Sequence, residues 1–151
     1  MFFAPKVFPA WGSLSHAARS LYGWTFYTVP LALLTLLSPA TFLTVAGMQP
    51  DPADPHHFAV RMFGSLLTSL SFMSHQAAVR EVRPFFHWAV IGRTFITGVV
   101  LLCTALGQCP PIMAFFACID FGGGMWTFVG LKRDAAEAAR GAQPALAHPT
   151  P

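Results

Sequence analysis

The stretch FFHWAVIGRTFITGVVLLCTAL, residues 85–106, contains a single charged side chain, Arg93. A helix rises about 1.5 Å per residue, so a stretch of this length crosses the ~30 Å hydrocarbon core of a lipid bilayer. Three further apolar blocks have comparable or greater length: Leu21–Met48, Phe58–Ala78 and Pro111–Leu131. Four such blocks predict an integral membrane protein that crosses the bilayer several times.

The composition of the chain agrees with this prediction. Hydrophobic residues make up 54% of the sequence and charged residues only 10%, whereas a soluble domain carries roughly 25% charged residues. The net charge is +3, but the basic residues do not form a patch with interleaved aromatic residues, so nucleic acid is not an expected partner. The three cysteines, Cys103, Cys109 and Cys118, lack a CxxC spacing, so no metal site is expected.

The distribution of basic residues predicts the topology. If four helices alternate across the bilayer, the following basic residues fall on one side: Lys6, Arg19, Arg80, Arg83, Lys132, Arg133 and Arg140. The positive-inside rule therefore places the N and C termini on the same, inner side, and short links make the last helices antiparallel neighbours. We expect an all-α fold, an integral membrane four-helix bundle with up-down antiparallel helices. Organellar inner membranes and thylakoids are among the candidate membranes.

The chain divides into three parts by composition. Residues 1–20 are basic and aromatic, and we expect them to form a segment at the membrane interface. Residues 21–133 form the expected four-helix transmembrane domain. Residues 134–151 are expected to form a flexible tail, which becomes rich in alanine, proline and glycine.

The start of the first span is ambiguous in the sequence. Pro30 and Pro39 interrupt its apolar block, and each removes a helical hydrogen bond. Two alternatives follow: one kinked helix that begins at Leu21, or an interfacial segment followed by a span that begins at Pro30. In the interfacial segment before it, three residues are expected to face lipid: Trp11, Leu14 and Ala18.

Three ionisable residues fall inside the apolar blocks: Arg61, Arg93 and Asp120. Each costs a few kcal/mol inside a bilayer by insertion scales, so each needs a partner or a purpose. By the helical rise, Arg93 and Asp120 each lie roughly 14 Å from a helix end, near the midplane. We predict a structural ion pair between them, with Arg61 as the alternative partner. A proton or anion path, or a site for an acidic lipid headgroup, is the functional alternative.

Small and polar residues on the second and fourth blocks predict close helix packing. On the second block, a polar stripe recurs at three- and four-residue spacing: Arg61, Ser65, Thr68, Phe72 and His75. The residues suited to close approach, or to hydrogen bonds between helices, are Gly64, Thr68, Ser71, Gly122, Gly123 and Gly124. The glycine run has a second interpretation, as space for a flat ligand.

Two histidines are candidate cofactor ligands. His75 and His87 both lie about one turn from the inner end of their helices, so they could face each other and bind a haem or a chlorophyll-type pigment axially. Arg80 and Arg83 lie nearby and could pair with its propionates. The alternative is that each histidine forms hydrogen bonds at the level of the lipid headgroups, and no cofactor is assigned; bound lipids are expected.

From about Ala59 to Arg133 the chain resembles the small four-helix membrane scaffold proteins of ergosterol biosynthesis. The likeness is carried by the sequence Ala59-Val60-Arg61-Met62-Phe63-Gly64, its continuation rich in serine and threonine, and the pair His87-Trp88. The resemblance implies a non-catalytic tether for membrane enzymes. The chain departs from that pattern in its proline-interrupted first span, its glycine run and Asp120.

The sequence therefore favours a protein without enzymatic activity. No nucleophile–base pair, metal-ligand set, phosphate-binding loop or carboxylate relay can be assembled from the motifs. We expect a non-catalytic accessory or scaffold subunit of a larger membrane protein complex, with other membrane subunits and lipids as partners. A haem- or chlorophyll-binding subunit is the first alternative, and a small transporter or lipid-handling protein is the second.

Overall fold

The structure is a computed structural model and describes the backbone of residues 9–146 and the side chains of residues 9–141. Within that part the chain is all-helical. After a 3-10 turn at Trp11–Ser13, five α-helices follow: α1 (His16–Leu37), α2 (Pro39–Val45), α3 (Phe58–Val79), α4 (Arg83–Ala105) and α5 (Pro111–Leu146). Three of them, α1, α4 and α5, are long and apolar enough to cross a membrane.

Helix α1 begins earlier than the apolar block that predicted it. Ser15 is its N-cap, and the helix runs without a break through Pro30. It ends because Ser38 leaves the helical conformation and Pro39 opens α2 at a first-turn position, where a missing N–H costs nothing. A start at Leu21 and a start at Pro30 were the two alternatives, and the structure shows neither.

The residues of the expected interfacial segment that are predicted to face lipid belong largely to the protein core. Leu14 is 5% exposed and Ala18 is fully buried, and both lie in one apolar cluster with Phe86 of α4. Trp11 is 46% exposed. The described part of the supposed interfacial segment is therefore continuous with the helical domain, while residues 1–8 lie outside the described residues.

Helix α1 runs antiparallel to α3. Near its start, Tyr22 lies against His75, with ring centroids 5.4 Å apart. Further along, Thr28 accepts a hydrogen bond of 2.8 Å from the Ser71 hydroxyl. Residue numbers therefore rise along α1 as they fall along α3, and hydroxyl groups join the two helices in the middle of their interface.

Helix α5 also runs antiparallel to α1, on another side of it. The Ser20 hydroxyl donates a hydrogen bond of 2.9 Å to Thr127, and the Trp24 indole lies four residues later, against Asp120. Because α1 contacts both α3 and α5, it lies in the centre of the described fold.

Helices α4 and α5 form the remaining long contact. The Thr97 hydroxyl donates a hydrogen bond of 3.2 Å to the Ala117 carbonyl across this interface. Helices α3 and α4, although joined by a short link, scarcely touch along their lengths. The spatial order is therefore α3–α1–α5–α4, and the prediction that the short link makes α3 and α4 packed neighbours is wrong.

Helix α5 extends well past the predicted end of the last span. It is helical through Leu146, so most of the segment expected to be a flexible tail continues the helix. Residues 147–151 lie outside the described residues. The extension carries Asp134 and Glu137 back to the beginning of α1.

Candidate functional site

The glycine run of α5 makes room for Arg93 of α4. A Cβ atom at Gly123 would lie 2.7 Å from Arg93 Nη1, and one at Gly124 would lie 3.4 Å from Arg93 Cβ. Nothing lies within 4 Å of the corresponding position at Gly122. Two of the three glycines therefore form a slot for the arginine side chain, and the third presents an open backbone surface.

Arg93 lies beside Asp120 of α5 and Trp24 of α1. Its Nε is 3.9 Å from Asp120 Oδ1, and the same oxygen accepts a hydrogen bond of 2.8 Å from Trp24 Nε1. The guanidinium also lies over the Trp24 ring, 4.1 Å from its centroid, a cation–π arrangement. We call Trp24, Arg93 and Asp120 the Arg93 cluster; it joins three helices at one point.

The hydrogen-bonding capacity of Arg93 is not filled by the described residues. The side chain is only 7% exposed, yet its buried Nη1 has no hydrogen-bond partner among them. The distance to Asp120 is that of an ion pair and exceeds hydrogen-bonding reach. A buried donor left unpaired costs about 1–3 kcal/mol, and more when it is charged. The Arg93 cluster is thus an incomplete polar network inside an apolar bundle.

A cavity of about 550 Å³ lies next to this cluster, lined by residues of α1, α3, α4 and α5. Arg93 and Asp120 contribute to its wall, and most of the rest is apolar. The aromatic residues that line it are Trp24, Tyr27, Phe63, Phe85, Trp88 and Phe116. Apolar cavities of this size with a few polar groups are typical of small-molecule sites.

The cavity is open to the surroundings of the bundle. Its wall includes Leu66 and Leu70 of α3 and Trp88 and Ile96 of α4, whose side chains are 46–69% exposed. These helices scarcely touch, so the gap between them joins the cavity to the outside. If the bundle lies in a bilayer, this opening faces lipid.

Arg61 takes no part in the Arg93 cluster. Its Nε donates a hydrogen bond of 2.9 Å to the His56 carbonyl, and its Nη1 donates to the Leu36 carbonyl at the end of α1. A cation at a helix C-terminus interacts favourably with the exposed carbonyls there. The structure therefore places Arg61 as a cap of α1, away from its predicted alternative partner Asp120.

The two candidate cofactor histidines have different surroundings. His75 is half-buried where α3 meets Tyr22 of α1. His87 is exposed on the first turns of α4, where its Nδ1 lies 3.2 Å from the Arg83 carbonyl. A haem or chlorophyll site between the two rings stays a prediction.

The predicted packing residues of α3 divide between two faces. Gly64 is buried against α1, where an added Cβ would lie 3.0 Å from Leu36 Cγ, and Ser71 is buried in the same seam. Thr68 is exposed, and its hydroxyl donates to the Gly64 carbonyl within α3. Close helix approach therefore depends on Gly64 and Ser71.

The beginning of α1 is held by carboxylates from distant parts of the chain. Glu81 accepts hydrogen bonds from the Ser15 backbone N–H (2.7 Å) and hydroxyl (2.6 Å). Asp134 accepts one from the His16 N–H (2.9 Å) and one from the Ala17 N–H (3.1 Å). Negative charge at a helix N-terminus is stabilising. We call Ser15, Glu81 and Asp134 the α1 cap.

Gly130 allows α5 to approach the α1 cap. A Cβ atom there would lie 2.7–2.8 Å from backbone atoms of His16 and Ala17. Backbone atoms cannot move aside as a flexible side chain can, so no other residue fits this position without a shift of the helices. The contact brings Asp134, one turn later, within reach of the α1 amides.

His16, Asp134 and Glu137 form the one group of potential metal ligands in the described part of the chain. His16 Nε2 lies 3.2 Å from Glu137 Oε1. Both oxygens of Asp134 already accept backbone hydrogen bonds, and Glu137 is exposed. The helix cap and a surface contact between His16 and Glu137 account for this arrangement.

Sequence reasoning missed four residues that the structure makes important: Trp24, Glu81, Gly130 and Asp134. No motif in the sequence singles out Trp24, and Asp134 falls in the segment expected to form a flexible tail. One signal was present, since Glu81 and Asp134 are two of the few carboxylates on the inner side of the predicted topology. This signal becomes informative only with Ser15 as the N-cap of α1, which the apolar pattern does not indicate.

Comparison with models of known protein families, with curated proteins and with solved structures finds no match for this chain.

Proposed function

We propose that this protein binds a largely apolar, lipid-like molecule in the cavity beside the Arg93 cluster and has no catalytic activity of its own. The observation that carries the proposal is the cavity of about 550 Å³, which lies within the 300–1,000 Å³ range of small-molecule sites. Its wall is mostly apolar, and it is open between α3 and α4. A ligand dissolved in the bilayer would therefore reach it from the side.

A substitution that fills the cavity tests this proposal. Gly92 lines the cavity and has nothing within 4 Å of its Cβ position, so Gly92→Leu adds bulk there and improves helix propensity. Gly98, on the same helix, has equally open space and does not line the cavity. Gly98→Leu is therefore the matched control.

The measurement is mass spectrometry of solvent extracts from protein purified in mild detergent. We expect one apolar compound to co-purify in near-stoichiometric amount with the wild type and Gly98→Leu, and to be lost from Gly92→Leu. Equal occupancy in all three proteins, or only bulk membrane lipid in each, would refute the proposal.

We further propose that α3 is a fourth membrane crossing and that both termini lie on the inner side. Helix α3 has 22 residues, as α1 does, and packs along it. The α1 cap also gathers the start of α1, the α3–α4 link and the later part of α5 at one end of the bundle. That arrangement supports an even number of crossings.

Cys109, in the turn between α4 and α5, reports on this topology. It is half-buried beside Pro110, and we expect an impermeant thiol reagent to label it from the side opposite the termini. Cys109→Ser is the control, since Cys103 and Cys118 lie within α4 and α5. Labelling of Cys109 from the same side that exposes the termini to protease would contradict the proposed topology.

A second candidate function, an accessory or scaffold subunit of a larger membrane complex, is favoured by a separate observation. Gly98 of α4 and Gly122 of α5 are exposed and have nothing within 4 Å of their Cβ positions. Small residues on an outer helix face allow another membrane helix to approach closely. If such a partner exists, Gly122→Leu should abolish its co-purification and leave cavity occupancy unchanged; intact co-purification would remove this support.

A further inference from the structure

We infer that the polar group of the cavity's ligand is an uncharged hydrogen-bond acceptor, the carbonyl of a long-chain ketone or of a quinone, held by Arg93. The inference rests on the proposed function and specifies the chemistry of its ligand. It depends on three observations: an unfilled donor, a counter-charge already in place, and the apolar remainder of the wall.

The donor is the guanidinium of Arg93. Arg93 lines the cavity, its side chain is only 7% exposed, and its Nη1 has no hydrogen-bond partner among the described residues. Arginine has five N–H donors and no acceptor. The group that completes this site must therefore accept hydrogen bonds, which excludes a ligand that offers only donors, such as an amine.

The charge of Arg93 is already balanced inside the protein. Asp120 lies 3.9 Å from its Nε and is fixed by the hydrogen bond from Trp24. A second anion beside this pair would leave one uncompensated negative charge in a medium of low dielectric constant, which is strongly unfavourable. The Arg93 cluster therefore favours a neutral acceptor over a carboxylate, sulfonate or phosphate.

The rest of the wall offers few competing polar groups. The Thr28 hydroxyl donates to the Trp24 carbonyl within α1, so it is occupied. The other lining residues with a hydroxyl group are Tyr27 of α1 and Ser74 of α3. The remaining α1 and α4 surface is aromatic and aliphatic and suits a hydrocarbon chain or a flat ring.

The first experiment compares two probes with the same saturated chain and the same diazirine in that chain, one ending in a methyl ketone and the other in a sulfonate. The sulfonate stays ionised at every accessible pH, so it cannot enter the cavity as a neutral, protonated acid. Purified full-length protein in phosphatidylcholine nanodiscs is irradiated with each probe, and occupancy is measured by the mass shift. We expect the ketone to label cavity residues and the sulfonate to label on the order of 100-fold less.

The second experiment changes the charge of the site. Asp120→Asn retains an oxygen that can accept from Trp24 but leaves Arg93 without a counter-charge, so we expect the sulfonate to label this variant at least as well as the ketone. Glu137→Gln removes the same charge outside the cavity and should behave as the wild type. Tyr27→Phe should also keep the wild-type preference, since Arg93 is the donor.

The outcomes separate the two levels of the proposal. If neither probe labels the cavity, and Gly92→Leu changes nothing, the proposed function fails. If the wild type takes the sulfonate as well as the ketone, or if Tyr27→Phe abolishes the preference, the inference about Arg93 is wrong and the cavity still binds an apolar ligand. If Asp120→Asn does not fold, the wild-type preference and the Tyr27→Phe result decide. A short-chain quinone without a diazirine is then added as a competitor. The extent to which it lowers labelling by the ketone shows which carbonyl source the site prefers.

Discussion

The α1 cap and the Arg93 cluster both place a carboxylate from α5 against α1, but they differ in how completely their polar groups are satisfied. In the α1 cap, each oxygen of Asp134 and Glu81 accepts a hydrogen bond from the start of α1. In the Arg93 cluster, one oxygen of Asp120 is shared between an indole donor and a distant arginine. The Nη1 of Arg93 has no hydrogen-bond partner among the described residues.

This difference is the basis for the proposal that the α1 cap stabilises the fold and that the Arg93 cluster binds a ligand. A polar network in which every group is hydrogen-bonded stabilises the fold, and replacing its residues lowers that stability. A buried network with an open donor has a cost that its own contacts do not offset. The adjacent cavity provides space for the ligand proposed above.

The largest effect is expected when the Arg93 cluster loses its carboxylate. Asp120→Leu leaves Arg93 buried without a counter-charge and should lower the free energy of unfolding by about 3–5 kcal/mol. The double variant Arg93→Met with Asp120→Leu should recover most of this loss, because it removes both charges. Unfolding in mixed detergent micelles measures both; a double variant as unstable as the single one would show that the pair is structural in itself.

A smaller loss of stability is expected at Gly130, where the close approach of α5 to α1 allows the α1 cap to form. Gly130→Ala places a methyl group against backbone atoms of α1 and should cost about 1–3 kcal/mol. Gly122→Ala, on the same helix and facing open space, is the matched control and should be neutral or slightly stabilising. If the two variants unfold alike, the close approach at Gly130 does not hold the helices together.

The smallest measurable loss is expected from the α1 cap itself. Asp134→Ala leaves two backbone amides of α1 without their acceptor and should cost about 1–2 kcal/mol. Glu137→Ala removes a carboxylate one turn away that makes only an exposed contact with His16, so its effect should stay under about 0.5 kcal/mol. Hydrogen exchange at His16 and Ala17 should rise in the first variant only; unchanged protection would mean that Asp134 is not the cap.

Three of the helices follow closely from sequence pattern. The block Phe58–Ala78 becomes Phe58–Val79, the block Phe85–Leu106 becomes Arg83–Ala105, and the last helix begins at Pro111 as expected. These ends are local: proline opens a helix, and an apolar run sustains it. The residue pair Arg93 and Asp120 was also within reach of sequence reasoning, because isolated charges in apolar helices need partners.

The start of α1 and the arrangement of the helices were not predictable in the same way. The amides of His16 and Ala17 find their acceptor at Asp134, more than a hundred residues away, and no local pattern encodes that contact. Link length suggested that α3 and α4 pack together, whereas the wide gap between them depends on how both fit against α1 and α5. The cavity follows from that gap and was invisible in the sequence.

The central position of α1 also has a consequence for biosynthesis. Its contacts on one side, and one of the two carboxylates of its cap, come from α5, which leaves the ribosome after α1 to α4. Until then α1 and α3 can pair, but the amides at the start of α1 lack Asp134 and the indole of Trp24 lacks Asp120. Contacts this distant in sequence are slow to close. The nascent chain therefore completes the contacts of α1 only after α5 has been synthesised and has packed against it.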